Sequence, residues 1–116
     1  MMPVALIVDD NPGFRAAARL LLEQAGYAVA DADNGGAGLV AAAELEPELV
    51  LLDVQLPDID GFEVAERLSV LQPAPAVILI SSRDRSDYGS LVGTPAIRGF
   101  IAKGELSAAA ICALLG

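Results

Sequence analysis

The chain has 116 residues, and its 16 acids against 7 bases leave a formal net charge of −9, which excludes charge-driven binding of this segment to nucleic acid or anionic membrane. An apolar fraction of 54% excludes a disordered chain, and the length predicts one domain over residues 1–116 with one buried core. Histidine is absent from the sequence, which removes histidine general bases and histidine-ligated metals.

In chain order, the first element is the apolar, β-branched run Val4–Val8, closed by Asp9 and Asp10. Asn11 reads as a helix N-cap, Pro12 as the first helical position and Gly26 as the stop. Between them Phe14, Ala17, Ala18, Leu21, Leu22 and Ala25 form an apolar stripe, opposite Arg15, Arg19 and Glu23. Tyr27–Ala30 is a second strand, Ala37–Leu45 an Ala-rich second helix, and Leu49–Leu52 a third strand ended by Asp53. Asp60 with Glu63 resembles a capping box opening a third helix, which buries Val64, Ala65, Leu68 and Leu71, while Asp58 and Asp60 fit turn and cap duties. Val77–Ile80, followed by Ser81, is the fourth strand.

A short fourth helix is expected around Arg85–Val92, weakened by Gly89 and Gly93 and stopped by Pro95. Ile97–Ala102 is the fifth strand, ending at Lys103. Leu106, Ala109, Ala110, Ala113 and Leu114 line the last helix, with Cys112 in its core. A lone cysteine forms no internal disulfide, which fits a reducing cytoplasm. Every apolar stretch falls far short of the ~20 residues of a membrane span, and no secretory signal pattern opens the chain.

Continuous rather than alternating hydrophobicity predicts strands covered on both faces, as in a parallel sheet. Strand–helix alternation then gives a three-layer α/β sandwich, and right-handed crossovers restrict the topology, with strand order 2-1-3-4-5 expected. In that order Asp9, Asp10, Asp53, Ser81 and Lys103 converge on the carboxyl edge of the sheet, where open α/β folds place ligands. Three carboxylates, one hydroxyl and one ammonium suit a divalent cation and a phosphoryl group. A carboxylate can attack phosphorus to give an acyl phosphate. Crowding three carboxylates is unfavourable without a neutralising cation, and a small, hard, oxygen-only site suits Mg²⁺. Singly, the aspartates could be capping turns and Lys103 a solvated surface residue; their joint placement carries the site reading.

Together the Asp9–Asp10 pair, the stretch 53–63 (DVQLPDIDGFE), Ser81 and the stretch 99–103 (GFIAK) resemble the receiver domain of two-component response regulators. The resemblance implies a flavodoxin-like receiver fold and Asp53 as phosphoacceptor. It implies Mg²⁺ held by Asp9, Asp10, Asp53 and the backbone carbonyl of Gln55. Lys103 would neutralise phosphoryl oxygens, Ser81 would bond the transferred group and draw the loop beginning at Ser82, and the Phe100 ring would pack inward. The remodelled face would be the fourth helix, fifth strand and last helix, also the route to a homodimer. The donor would be a histidine kinase or histidine phosphotransfer protein, and the recipient a downstream effector or output domain. No enzyme activity is implied beyond Mg²⁺-dependent self-phosphorylation and autodephosphorylation. The stretch 99–106 (GFIAKGEL) is similar to receivers that precede a helix-turn-helix DNA-binding domain.

Three positions depart from the commonest family pattern. Gly104 stands where proline is usual, leaving the Lys103–Gly104 peptide open between cis and trans; Phe100 replaces tyrosine, and Ser82 replaces alanine. Other readings are a pseudo-receiver that binds partners without phosphorylation and a haloacid-dehalogenase-type phosphatase. The phosphatase needs an Asp where Gln55 stands. Residues 36–41 (GAGLVA) mimic a dinucleotide fingerprint but follow the second strand and lack its ribose-binding acid, and no Walker motif occurs.

Overall fold

The computed structural model describes residues 2–81 and 97–115. Strands β1 (Val4–Val8), β2 (Ala28–Ala32), β3 (Leu49–Asp53), β4 (Ala76–Ser81) and β5 (Ile97–Ala102) form one parallel sheet in the order β2-β1-β3-β4-β5. The described helices are α1 (Pro12–Gln24), α2 (Gly35–Leu45), α3 (Gly61–Ser69) and α4 (Ala108–Leu115), with a 3₁₀ turn at Lys103–Glu105. The expected fourth helix around Arg85–Val92 and the candidate Ser82 lie outside the described residues.

Side chains along a strand alternate between faces, so the apolar runs feed two cores. Leu6, Val8, Val50, Leu52, Val77 and Leu79 face Ala42 of α2 and Val64, Ala65 and Leu68 of α3. On the other face, Ala5, Ile7, Leu49, Leu51, Ile78 and Ile80 meet Ala18 and Leu22 of α1 and Ile111 of α4. Each such large side chain contributes about 1.5–3 kcal/mol by leaving water, which is why the central strands read as unbroken apolar runs.

Register sets the site. Val8 pairs with Leu52, Asp53 with Ile80, and Ser81 with Ala102, so β1, β3, β4 and β5 end level. The residues that follow emerge at one rim. Asp9 is fixed there by its N–H, which donates to the Ala32 carbonyl at 3.1 Å.

Local chemistry explains the helix ends. Asn11 accepts from the Phe14 N–H at 3.0 Å, Pro12 opens α1, and Gly26 takes φ +100° just past its end. Asn34 caps α2 through the Ala37 N–H at 2.8 Å, so α2 starts two residues earlier than expected. Gly38 lets α2 approach β1, since a Cβ there would come within 2.8 Å of Val8 Cγ2. Its glycine is thus a packing requirement, consistent with discounting the dinucleotide fingerprint.

Several expectations need correction. β2 runs Ala28–Ala32 rather than Tyr27–Ala30, because pairing with β1 continues through the polar Asp31 to Val8 opposite Ala32. Ala17 and Ala25 of the α1 stripe are exposed, the buried seam being Ala18 and Leu22. Asp60 does cap α3, but through the Phe62 N–H at 2.7 Å, and Glu63 turns to Arg67 instead of closing a reciprocal box. Cys112 is exposed, not core, and Ala109 and Ala113 are also exposed; Ile111 is the buried residue of α4. Among the described residues no helix is long and apolar enough to cross a membrane.

Candidate functional site

The rim gathers Asp9, Asp10 and Asp53 so that one carboxylate oxygen from each lies within 4.8 Å of the others. Asp9 and Asp53 are 1% and 5% exposed, whereas Asp10 is open to solvent. Asp9 Oδ1 accepts from the Asn11 N–H at 2.8 Å, and the Arg15 guanidinium donates to the Asp9 carbonyl at 2.7 Å. Asp53 Oδ1 accepts from the Gln55 N–H at 3.1 Å. Burial is the main reason the Asp53 carboxyl titrates above its ordinary range. The Gln55 N–H opposes that rise, Asp9 adds to it, Lys103 opposes it and Asp10 adds again.

Lys103, in the 3₁₀ turn directly after β5, carries the charge that makes this crowding tolerable. Its Nζ lies 2.9 Å from Asp9 Oδ2, 3.3 Å from Asp9 Oδ1 and 3.7 Å from Asp53 Oδ2. The ammonium also sits 4.9 Å from the centre of the Phe14 ring, within cation–π range. Burial works against its charge, but the hydrogen bond to Asp9 and the charges of Asp53, Asp9 and Asp10 outweigh it and raise its pKa. The Lys103–Gly104 peptide is trans; the cis peptide among the described residues is Gln72–Pro73.

Asp9 Oδ2 is fully buried, and although Lys103 lies at ion-pair distance, among the described residues no donor is aligned on it for a hydrogen bond. A buried anionic oxygen with no aligned donor, beside two further carboxylates, is the donor set a hard divalent cation takes. The residues present therefore fit Mg²⁺.

The loop after β3 is tightly folded. Val54 N–H donates to the Ile80 carbonyl, Gln55 and Asp60 form an antiparallel bridge, and Gly61 N–H donates back to the Val54 carbonyl, the two donor bonds both at 3.1 Å. Gly61 is required, because a Cβ there would overlap the Asp53 carbonyl oxygen and lie 2.6 Å from Val54 Cα. Ser81 is 2% exposed at the end of β4, level with Ala102. Phe100 is half-buried on β5, its ring 6.1 Å from that of Phe62 and tilted by 55°. Sequence reasoning missed one contributor, Phe14, assigned only to the α1 stripe, whose ring lies under the Lys103 ammonium.

A doubly wound parallel sheet with a carboxylate trio and a lysine at its carboxyl rim makes a site for a divalent cation and an anionic group. The chain matches the response regulator receiver domain over residues 5–115, and it belongs to that family, the receivers of two-component systems. It is 40% identical over 86 residues to the transcriptional regulatory protein AfsQ1 of Streptomyces coelicolor, covering 74% of this chain and 38% of that protein. Response regulator protein TrrA of Thermotoga maritima, solved in complex with Mg²⁺ and BeF, matches with a TM-score of 0.77 and 30% identity over 87% of this chain and 86% of that one. A Burkholderia pseudomallei response regulator, solved with a phosphorylated aspartic acid, a calcium ion and citrate, matches with a TM-score of 0.85 and 25% identity, covering 98% and 66%. The chain spans about half the length, or less, of the curated relatives it matches.

Proposed function

We propose that Asp53 accepts a phosphoryl group from a partner histidine kinase or histidine phosphotransfer protein in a Mg²⁺-dependent reaction, and that the acyl phosphate switches a partner-binding face. The observation that carries this reading is the placement of Asp53: a buried carboxylate with Asp9, Asp10 and Lys103 grouped around it. The phosphorylated aspartic acid of the Burkholderia pseudomallei protein and the Mg²⁺ of the Thermotoga maritima protein support it by likeness.

Asp9, Asp10, Asp53 and the Gln55 backbone carbonyl would hold the cation, whose chemistry is to neutralise charge on the transferring phosphoryl oxygens. Asp53 attacks phosphorus through a carboxylate oxygen as the phosphorus–nitrogen bond of the donor phosphohistidine breaks, and the imidazole departs with the bonding pair. In a loose transition state little covalent work falls to the protein, so position and charge dominate. Lys103 supplies a fixed positive charge beside Asp53, held by Asp9 and the Phe14 ring. Ser81 lies at the end of β4, where its hydroxyl would donate to a phosphoryl oxygen after transfer.

The switch would then reach Phe100. Inward packing of that ring would remodel the face formed by β5 and α4, the candidate surface for an effector, an output domain or a second copy. The curated relatives are transcriptional regulators, which favours a transcriptional output. The chain would act in the cytoplasm, with no catalytic turnover beyond its own phosphorylation and dephosphorylation.

The test is incubation with Mg²⁺ and acetyl phosphate followed by intact mass measurement. The reading expects a gain of one phosphoryl group that EDTA prevents. Turnover of external phosphomonoesters would mark a phosphatase, and no mass change would mark a pseudo-receiver.

A further inference from the structure

Asp58 lies on the loop joining β3 to α3, and its carboxylate reaches across to a different helix. Oδ1 accepts from the Gly35 N–H at 2.8 Å and Oδ2 from the Gly36 N–H at 2.9 Å, partners 23 and 22 residues earlier in the chain. These amides open α2, where backbone donors lack intrahelical acceptors and the helix dipole favours an anion. The Gly36 and Gly35 amides hold the Asp58 carboxyl below its usual range. The approach is close: a Cβ on Gly35 would come within 3.0 Å of Val64 Cγ2 and 3.2 Å of Ile59 Cβ, and those side chains would have to give way. Asp58 lies between Gln55 and Asp60, whose backbone bridge closes the same loop.

We propose that Asp58 is a positioning residue for the cation site: by fastening this loop to α2, it holds the Gln55 backbone where its carbonyl can serve as a ligand. This rests on the reading of the rim as a Mg²⁺ pocket. The Val54, Gln55 and Gly61 amide hydrogen bonds anchor the ends of the loop, the Gln55–Asp60 bridge closes it, and the Asp58 clamp ties the segment between the bridge partners to α2. Without the clamp, the segment between the bridge partners regains conformational freedom that cation binding must then remove. Coupling of this kind is reciprocal, so Mg²⁺ bound at the rim also tightens the α2 amides that Asp58 grips.

The experiment compares wild type, Asp58→Ala and Asp58→Asn for Mg²⁺ affinity by calorimetry, and for hydrogen exchange at Gly35 and Gly36 with and without Mg²⁺. Asp58→Ala should weaken Mg²⁺ binding by roughly tenfold, the low end for residues that support a metal ligand from outside. Asp58→Asn, which keeps one acceptor oxygen, should fall between, and carries the comparison alone should the alanine variant not fold. Mg²⁺ should slow exchange at Gly35 and Gly36 in wild type and leave it unchanged in Asp58→Ala. A lowered melting temperature with unaltered Mg²⁺ affinity would mark a helix cap only and overturn the proposal. A wild-type chain that binds no Mg²⁺ would overturn the pocket reading itself, and this inference with it.

Discussion

Lys103 Nζ lies 2.9 Å from Oδ2 of Asp9 but 3.7 Å from Oδ2 of Asp53, so the site's ammonium is seated on a candidate metal ligand rather than on the candidate phosphoacceptor. Mg²⁺ and Lys103 thus draw on the same buried oxygens, and two cations at one carboxylate repel. Lys103→Ala should therefore tighten Mg²⁺ binding several-fold in calorimetric titration while lowering the rate of phosphorylation by acetyl phosphate. Weaker Mg²⁺ binding in the variant would contradict the competition.

Asp53 supplies a pH test. Burial, first, raises its carboxyl pKa in the folded state, against the Gln55 N–H. Between the unfolded carboxylate value of about 4 and that raised value, the native state holds more protons than the unfolded one. Its contribution to stability is therefore fully present below about pH 4 and is lost as pH rises through the raised value. Asp53→Asn should leave the melting temperature nearly unchanged at the acid end and raise it by a few degrees at neutral pH without Mg²⁺. A wild type that melts higher than the variant at neutral pH in EDTA would show the crowding argument to be mistaken.

Mg²⁺ should stabilise the wild-type fold by linkage. At about one hundred times its Kd the gain is about 2.7 kcal/mol, readable as a rise in denaturant midpoint that EDTA reverses. Asp53→Asn should show a smaller gain, having lost one anionic ligand. Equal midpoints with and without saturating Mg²⁺ would count against a cation at this rim.

Gly61 tests whether the loop geometry matters. A Cβ there would strike the Asp53 carbonyl and the Val54 backbone, neither of which can yield as a flexible side chain can. Gly61→Ala should cost about 1–3 kcal/mol in chemical denaturation, the range for overpacking a well-filled site, and slow phosphorylation as Asp53 shifts. Wild-type stability in this variant would mean the loop adapts freely.

The sheet was legible because its three central strands are buried on both faces: Val4–Val8 and Leu49–Leu52 appear in the structure nearly as their apolar runs predict. β2 was less so, because an edge strand tolerates Asp31 within its length. The last helix was misphased for a physical reason. Residues 108–115 are apolar on every side, so periodicity names no inner face, and only packing against β5 selects Ile111 over Cys112. The convergence of Asp9, Asp10, Asp53, Ser81 and Lys103 was legible because a parallel sheet brings strand ends to one rim. The reach of Asp58 to α2 was not, because its partners are backbone amides two elements upstream, which no local pattern marks.

The most direct measurement is where the phosphoryl group lands. After exposure to Mg²⁺ and acetyl phosphate, borohydride converts an aspartyl phosphate to homoserine, and peptide mass mapping locates the change. The account predicts homoserine at position 53 in wild type, and none anywhere when Mg²⁺ is chelated. Conversion at another aspartate, or none at all despite a folded, Mg²⁺-saturated chain, would contradict it.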